Sequence, residues 1–443
     1  MPIKVGMVSL GCSKNLVDSE RMLSKLRQKG YELVTEPGLA DVAVVNTCGF
    51  IQSAKEEAIE TILELGKLKE DGTLKKIVVT GCLVERYKEQ VAEQFPEADA
   101  VVGIGSNKDI TDVLDHVLAN ERYIKFAPKL DAELTGERII STLPFFSYLK
   151  VAEGCSNCCT YCAIPQIRGK FRSVPMEDVL KEARWLAENG VTELVVIAQD
   201  TSRYGEDLYG KSALVPLLEK LCRTDGLKWV RLLYAHPDRV SDELLSFMAG
   251  EQRMVPYLDI PVQHASGRIL KAMNRRGDSA SLIGLFSHIR NTLPDAALRT
   301  TVITGFPGET KADFEELCLF VETVQFDRLG AFAYSKEEGT PAYSLSGQIG
   351  EKTKQRRREI VMELQRRISE RRGKRMKGRT LTVLTEGYDR YVERYFGRSY
   401  ADAPEVDGKV FFTSKRALSA GEYVPVTITG SLEYDLDGEC AAQ

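Results

Sequence analysis

Short β-branched runs alternate with longer amphipathic ones from the start of the chain to about residue 125. Val5–Leu10, Val42–Asn46, Ile77–Thr80 and Ala100–Ile104 have the near-continuous apolar pattern of strands covered on both faces. Ser19–Lys29, Ser53–Lys69, Glu85–Phe95 and Lys108–Asn120 have helical periodicity. This alternation predicts a parallel α/β sheet of flavodoxin-like type over residues 1–125. Residues 126–142 lose the pattern and read as a linker. From Ser147 it resumes with six strand candidates: Ser147–Glu153, Glu193–Gln199, Val230–Tyr234, Tyr257–Val262, Arg299–Thr304 and Arg328–Tyr334. Helical stretches such as Met176–Asn189 and Lys311–Val324 separate most of them. A closed eight-fold barrel takes eight strands and ~250 residues, so six predict an open, partial (β/α)6 barrel.

Residues 351–377 read as one helix with twelve Lys or Arg against four acids. Beyond Gly378 the period shortens again. Leu381–Glu386, Tyr391–Ser399, Lys409–Thr413 and Tyr423–Tyr434 predict a small all-β, OB-like barrel. The expected units are therefore 1–125, the linker 126–142, 143–377 including the basic helix, and 378–443.

Composition adds a compartment. Of 443 residues, 43% are hydrophobic and 28% charged, and the net charge of −4 excludes a general polycation. No stretch reaches the ~18 apolar residues of a membrane span, and no long apolar leader opens the chain, so no membrane role and a cytosolic location are expected. In that reducing setting ten cysteines suit metal ligation or free thiols better than disulfides.

Their placement carries the chemistry. Cys155, Cys159 and Cys162 form a C-x3-C-x2-C run directly after a strand, with Cys158 between. No fourth ligand follows. Three thiolates fill three corners of a cubane iron–sulfur cluster and leave one iron open to a small molecule. A zinc site would need a second pair of ligands at finger spacing, which is missing. Cys12, Cys48 and Cys82 each follow a strand in the first unit. Open parallel sheets bind ligands beyond the carboxyl ends of their strands, so these three converge as a second cluster set. Cys222, Cys318 and Cys440 stand alone and read as incidental thiols. Gln199 and Asp200 end a barrel strand, and Gly305-Phe306-Pro307-Gly308-Glu309 follows another. Arg231 and Arg299, on strands, are candidate carboxylate or ribose contacts. His264 reads as structural, and Arg275 and Arg276 as a loop anion contact or solvated.

With Tyr161 before the last cysteine and Ala163-Ile164-Pro165 after it, the run resembles the radical S-adenosylmethionine (SAM) superfamily. The resemblance keeps Cys155 as the first ligand and leaves Cys158 a bystander. It implies that the open iron takes the amino and carboxylate groups of SAM. One electron then cleaves the sulfonium to a 5′-deoxyadenosyl radical. Gln199 and Asp200 would hold the SAM amino group, and Gly305 and Glu309 would belong to a SAM-contacting turn.

The three-part order resembles, over essentially the whole chain, the methylthiotransferase family, in which a TRAM domain comes last. Ser9-Leu10-Gly11-Cys12-Ser13-Lys14-Asn15, Asn46-Thr47-Cys48-Gly49 and Thr80-Gly81-Cys82 match its N-terminal motifs. The resemblance implies two [4Fe-4S] clusters, with Cys12, Cys48 and Cys82 holding the one that carries sulfur. It implies SAM used twice, once to methylate that sulfur and once to make the radical that opens the substrate carbon. The opening motif and Ala198-Gln199-Asp200-Thr201-Ser202 are similar to the RimO-type branch, which modifies the β-carbon of an aspartate in ribosomal protein S-twelve. A tRNA-modifying branch shares all the chemistry, and a non-catalytic iron–sulfur carrier is the reading from another class. From residue 379 onward seven bases face eleven acids, which suits a basic protein partner better than phosphate. The basic helix leaves contact with ribosomal RNA open. A reducing donor such as flavodoxin or ferredoxin is implied.

Overall fold

The β-branched runs of the first unit pair as one parallel sheet in the computed structural model, which describes residues 2–441. Its strands are β1 (Lys4–Ser9), β2 (Glu32–Val34), β3 (Val42–Thr47), β4 (Lys76–Gly81), β5 (Ala100–Val102) and β6 (Tyr123–Lys125), in the order β2-β1-β3-β4-β5-β6. The register Ser9↔Asn46 and Thr47↔Gly81 brings the ends of β1, β3 and β4 level. The order reverses beside β1, and such a switch point opens a crevice above the strand ends.

Several elements differ from expectation. The first helix is Ser13–Gln28 rather than Ser19–Lys29. Its polar opening, Ser13-Lys14-Asn15, hides the helical period. Lys88, at φ +38°, splits the expected Glu85–Phe95 helix into Cys82–Tyr87 and Glu89–Gln94. A 3₁₀ segment, Ile104–Asp109, precedes the helix Ile110–Leu118. The edge strands β2 and β6, three residues each, are too short to register as a period.

The expected linker is an ordered strap. Arg138 lies buried between Glu20 (2.6 Å) and Glu182 (2.7 Å), and the Ser141 hydroxyl donates to Glu20 at 2.8 Å. Those charges fasten the strap to the first helix and to the barrel.

The second unit carries β7 (Phe146–Lys150), a ribbon of β8 (Ala152–Glu153) with β9 (Arg172–Ser173), then β10 (Glu193–Ile197), β11 (Trp229–Leu232), β12 (Met254–Asp259), β13 (Ala297–Thr304) and β14 (Arg328–Ala333). The six long strands form one parallel sheet in the order β7-β10-β11-β12-β13-β14 and do not close. Successive residues alternate between two cores. Leu149, Leu194, Val196, Val230 and Leu258 pack against the surrounding helices. Tyr148, Val195, Ile197, Val255 and Tyr257 turn inward, where Leu16 and Val17 from the first helix meet them, with Leu384 and Ala403 from the C-terminal unit. An open barrel alone would leave that inner face wet, so both flanking units complete its core. The basic helix, Glu351–Met376, packs along β14 and buries Val361, Gln365 and Ile368.

The C-terminal unit is a closed barrel of β15 (Thr380–Asp389), β16 (Arg394–Arg398), β17 (Val410–Thr413), β18 (Tyr423–Ser431) and β19 (Leu436–Cys440). The fifth strand is polar and holds a glycine, which concealed it. Its seam with the central unit corrects two expectations. Arg231 is fully buried there: it pairs with Glu193 at 2.8 Å and donates to the Tyr400 carbonyl at 2.6 Å, so no ligand carboxylate or ribose is within its reach. Arg398 reaches the same Glu193 at 2.7 Å. Second, several acids counted toward a docking surface point inward. Glu386 pairs with Arg398 and Asp402 with Arg328, while Tyr257 donates to Asp407 at 2.6 Å. The acidic count thus overstates the charge this unit shows to a partner. Among the described residues no helix is long and apolar enough to cross a membrane.

Candidate metal centre

Each N-terminal cysteine sits where a strand gives way to a loop or helix. Cys12 caps the helix Ser13–Gln28, Cys48 follows β3, and Cys82 opens its own helix. The adjoining glycines let the loops crowd together. A Cβ on Gly11, at φ +92°, would meet the Cys48 Cβ at 2.8 Å and its sulfur at 3.0 Å, and one on Gly49 would strike the Leu83 Cα at 2.6 Å. The three thiols feel one another's charge across this cradle. Asn15 ties the floor together, donating to the carbonyls of Leu10 (2.9 Å) and Thr47 (3.0 Å). Among the described residues no three His, Cys, Asp or Glu side chains close around a single ion. A four-iron cubane spreads its thiolates further apart than one ion does, so a cradle of three separate loops suits the larger group.

The second trio lies on one loop held from every side. Cys155 N–H donates to the Gly169 carbonyl at 3.1 Å, and Thr160 N–H to Met273 at 3.1 Å. The Asn157 amide donates to Asp200 at 2.7 Å, and the Asn274 amide to the Cys158 carbonyl at 3.0 Å. Cys155, Cys159 and Cys162 are mutually close enough for their charges to interact. Cys158, at φ +53°, is turned to solvent. The three lone thiols keep apart from both trios, with Cys222 buried and Cys318 and Cys440 partly so.

Burial pushes the thiols of Cys82 and Cys162 up to about 12 and that of Cys155 to about 11, from 9.0. Bound to metal, each sulfur must shed its proton. Iron binding therefore weakens as pH falls, and loading at neutral pH releases protons that an indicator dye counts. Release of less than ~1 proton per site would contradict this. In the metal-free fold the sign reverses. Neutral buried thiols favour folding below pH 9, and that contribution drains away as pH rises toward 12.

A guanidinium from the unit that carries the second cysteine loop reaches the first trio. Arg168 ends the short helix that follows the C-x3-C-x2-C loop. One nitrogen lies 3.2 Å from the Cys82 sulfur and 2.5 Å from the Asn15 oxygen, and the other pairs with Asp18 (2.6 Å) and Glu153 (3.3 Å). Lys150 contacts the same two carboxylates. Gln199 donates to Glu153 at 2.8 Å, while its own carbonyl oxygen is buried with no partner. That orphaned acceptor, beside the second cysteine loop, fits an ammonium group such as that of SAM.

Other expected contacts serve the scaffold. Asp200 holds Asn157 and also accepts from Ser202 N–H at 3.2 Å. Glu309 has protein partners on both of its oxygens. Its carboxylate accepts from Gly305 N–H (2.6 Å) and Phe306 N–H (3.2 Å) and pairs with Arg357 at 2.7 Å. Gly305, at φ +73°, has Lys354 of the basic helix where a Cβ would go. This turn therefore docks the basic helix. His264 is buried, and its Nδ1 accepts from Ser266 N–H at 3.0 Å. Arg299 lies 3.8 Å from Asp259. Arg275 is half-buried: it donates to the Pro261 carbonyl at 2.7 Å and stands 3.9 Å from the Cys159 sulfur. Arg168, beside a candidate ligand, escaped sequence reasoning, whereas Arg275 was read there only as an anion contact or a solvated residue. The partners of Arg168 lie far off in the chain, and only its position just after the cysteine loop hinted at a role.

Three family models match in the same order as the folding units. They are an uncharacterized protein family, UPF0004, at residues 4–103, the Radical SAM superfamily at 149–321, and the TRAM domain at 378–441. Among solved structures, the radical SAM methyltransferase TsrM from Kitasatospora setae has a TM-score of 0.57 at 12% identity, covering 77% of each chain. The cobalamin-dependent radical enzyme OxsB gives 0.52 at 15%, over 84% of this chain and 56% of its own. These establish the fold alone. "Ribosomal protein uS12 methylthiotransferase RimO" of Lachnoclostridium phytofermentans is 49% identical over 98% of this chain and 99% of its own. The proteins of the same name from Clostridioides difficile and Geobacter sulfurreducens are 48% and 45% identical, each over at least 98% of both chains. Identity of this order along the full length of all three units makes the chain a member of the RimO family of radical SAM methylthiotransferases.

Proposed function

We propose that the protein transfers a methylthio group to the β-carbon of an aspartate in ribosomal protein uS12. Cys155, Cys159 and Cys162 would hold the cluster that receives SAM, and Cys12, Cys48 and Cys82 the sulfur-carrying cluster. When bound, these groups supply one-electron cleavage of SAM, hydrogen abstraction and a sulfur that can be methylated. The chain's own part is to hold and shield. Asp200 and Asn274 fix the cysteine loop through Asn157 and Cys158, Arg275 faces Cys159, and the Gln199 carbonyl offers an acceptor to the SAM ammonium. Residues 1–125, 143–377 and 378–443 would act as cluster, radical and docking units, with 126–142 as their strap. The cytoplasm, where ribosomal proteins and a low-potential flavodoxin or ferredoxin are at hand, is the expected setting. The TRAM match and the basic helix support a contact with ribosomal RNA.

The observation that carries this reading is Arg168, which touches a thiol of one trio from the helix that follows the other. Sulfur insertion needs radical and sulfur source side by side, and this link supports such an arrangement. The test is anaerobic reconstitution with SAM, a reductant and, separately, uS12 and tRNA. A mass gain of one methylthio group on the uS12 aspartate is expected. Gain on tRNA alone would transfer the reading to the nucleic-acid branch. Failure of the reduced protein to cleave SAM would favour a cluster carrier.

A further inference from the structure

Lys14 is buried, and among the described residues its ammonium makes no ion pair and no hydrogen bond. Its one close partner is the face of Tyr234, whose ring centroid lies 3.2 Å from Nζ. Two features say that this placement is built. Lys14 occupies the first turn of the helix Ser13–Gln28, where the helix dipole opposes a cation. Tyr234 is held at φ +63°, a strained setting for an aromatic residue, and its carbonyl accepts from Thr201 N–H at 3.0 Å. Strain at a barrel strand end, facing an unpaired cation from another unit, marks a place prepared for a ligand.

The charges nearby give the ligand its sign. Asp259 accepts from Tyr234 N–H at 3.1 Å and is already neighboured by Arg299 at 3.8 Å. Asp407 acts on this same Asp259–Arg299 pair, and Lys14 feels Asp259 only at a distance, so its ammonium keeps its donors for an incoming anion. Lys14 lies two residues from Cys12, beside the candidate sulfur-carrying centre.

We propose that Lys14 receives the side-chain carboxylate of the substrate aspartate. This rests on the uS12 reading above and names the residue that selects its substrate. The reacting β-carbon is bonded directly to that carboxylate, so a cation gripping the carboxylate fixes the carbon. A desolvated ion pair of this kind distinguishes aspartate from asparagine, which is nearly the same shape.

The test uses reconstituted full-length protein and two peptides spanning the uS12 target, one with the native aspartate and one with asparagine. The wild type is expected to bind the aspartate peptide more tightly. Lys14→Met should raise the Kd and KM for the aspartate peptide about 30-fold or more and leave binding of the asparagine peptide as it was. Lys14→Arg should restore most of the difference. Equal weakening toward both peptides, or a wild type that does not distinguish them, would overturn the proposal. Should Lys14→Met fail to fold, carbodiimide coupling of the wild-type protein to the aspartate peptide still decides. An amide between Lys14 and the target aspartate supports the assignment, and coupling elsewhere defeats it. If the wild type neither binds nor thiolates the aspartate peptide, it is the uS12 reading itself that fails.

Discussion

Replacing Arg168 by methionine is expected to destabilise the protein by about 3–5 kcal/mol. The guanidinium is buried and pairs with Asp18 and Glu153, themselves largely or wholly buried. Without it Lys150 alone faces two carboxylates, and Asn15 and Cys82 lose their donor. A buried charge left without its partner costs far more than the intact pair contributes. The same change cuts a link between the first unit and the barrel, because Asn15, Asp18 and Cys82 belong to one and Arg168 and Glu153 to the other. Urea unfolding of wild type and variant, followed by far-ultraviolet circular dichroism, measures the loss. Arg168→Lys should recover part of it, since lysine keeps the charge but not the fork. A loss below about 1 kcal/mol, the range of exposed pairs, would mean that the cluster of charges is wetter than its burial says.

The two cysteine trios should separate by activity. Cys155→Ala removes a ligand from the loop beside the orphaned Gln199 carbonyl, and SAM cleavage should be lost. Cys48→Ala leaves that loop intact, so the reduced variant should still cleave SAM yet insert no sulfur. Product analysis for 5′-deoxyadenosine and for the modified peptide reads both outcomes from one incubation. A Cys48 variant that still thiolates would remove the role assigned to the first unit.

Much of this was legible in the chain because it is local. The β-branched runs located the four central strands of the first sheet and all six of the open barrel. The spacing of Cys155, Cys159 and Cys162 picked out one loop, which the structure ties down from several sides. The placement of Cys12, Cys48 and Cys82 after successive strands foretold their convergence, since parallel strands of one sheet end on the same side. What stayed hidden depends on the meeting of distant segments. Nothing near Leu16 or Val17 says that they complete another unit's core. Arg231 resembles a ligand contact until the C-terminal barrel arrives with Arg398 and the Tyr400 carbonyl. Glu309 sits in a glycine-rich turn, and nothing in that turn announces Arg357 and Lys354, which reach it from the basic helix. Acidic residues such as Asp402 and Asp407 counted as surface charge because a sequence does not record which way a side chain turns.

Iron and sulfide content of protein reconstituted without oxygen tests the central claim most directly. Two separate cubanes predict about eight irons per chain, falling to about four when either Cys12, Cys48 and Cys82 or Cys155, Cys159 and Cys162 are changed to alanine. About four irons in the unsubstituted protein would contradict the account.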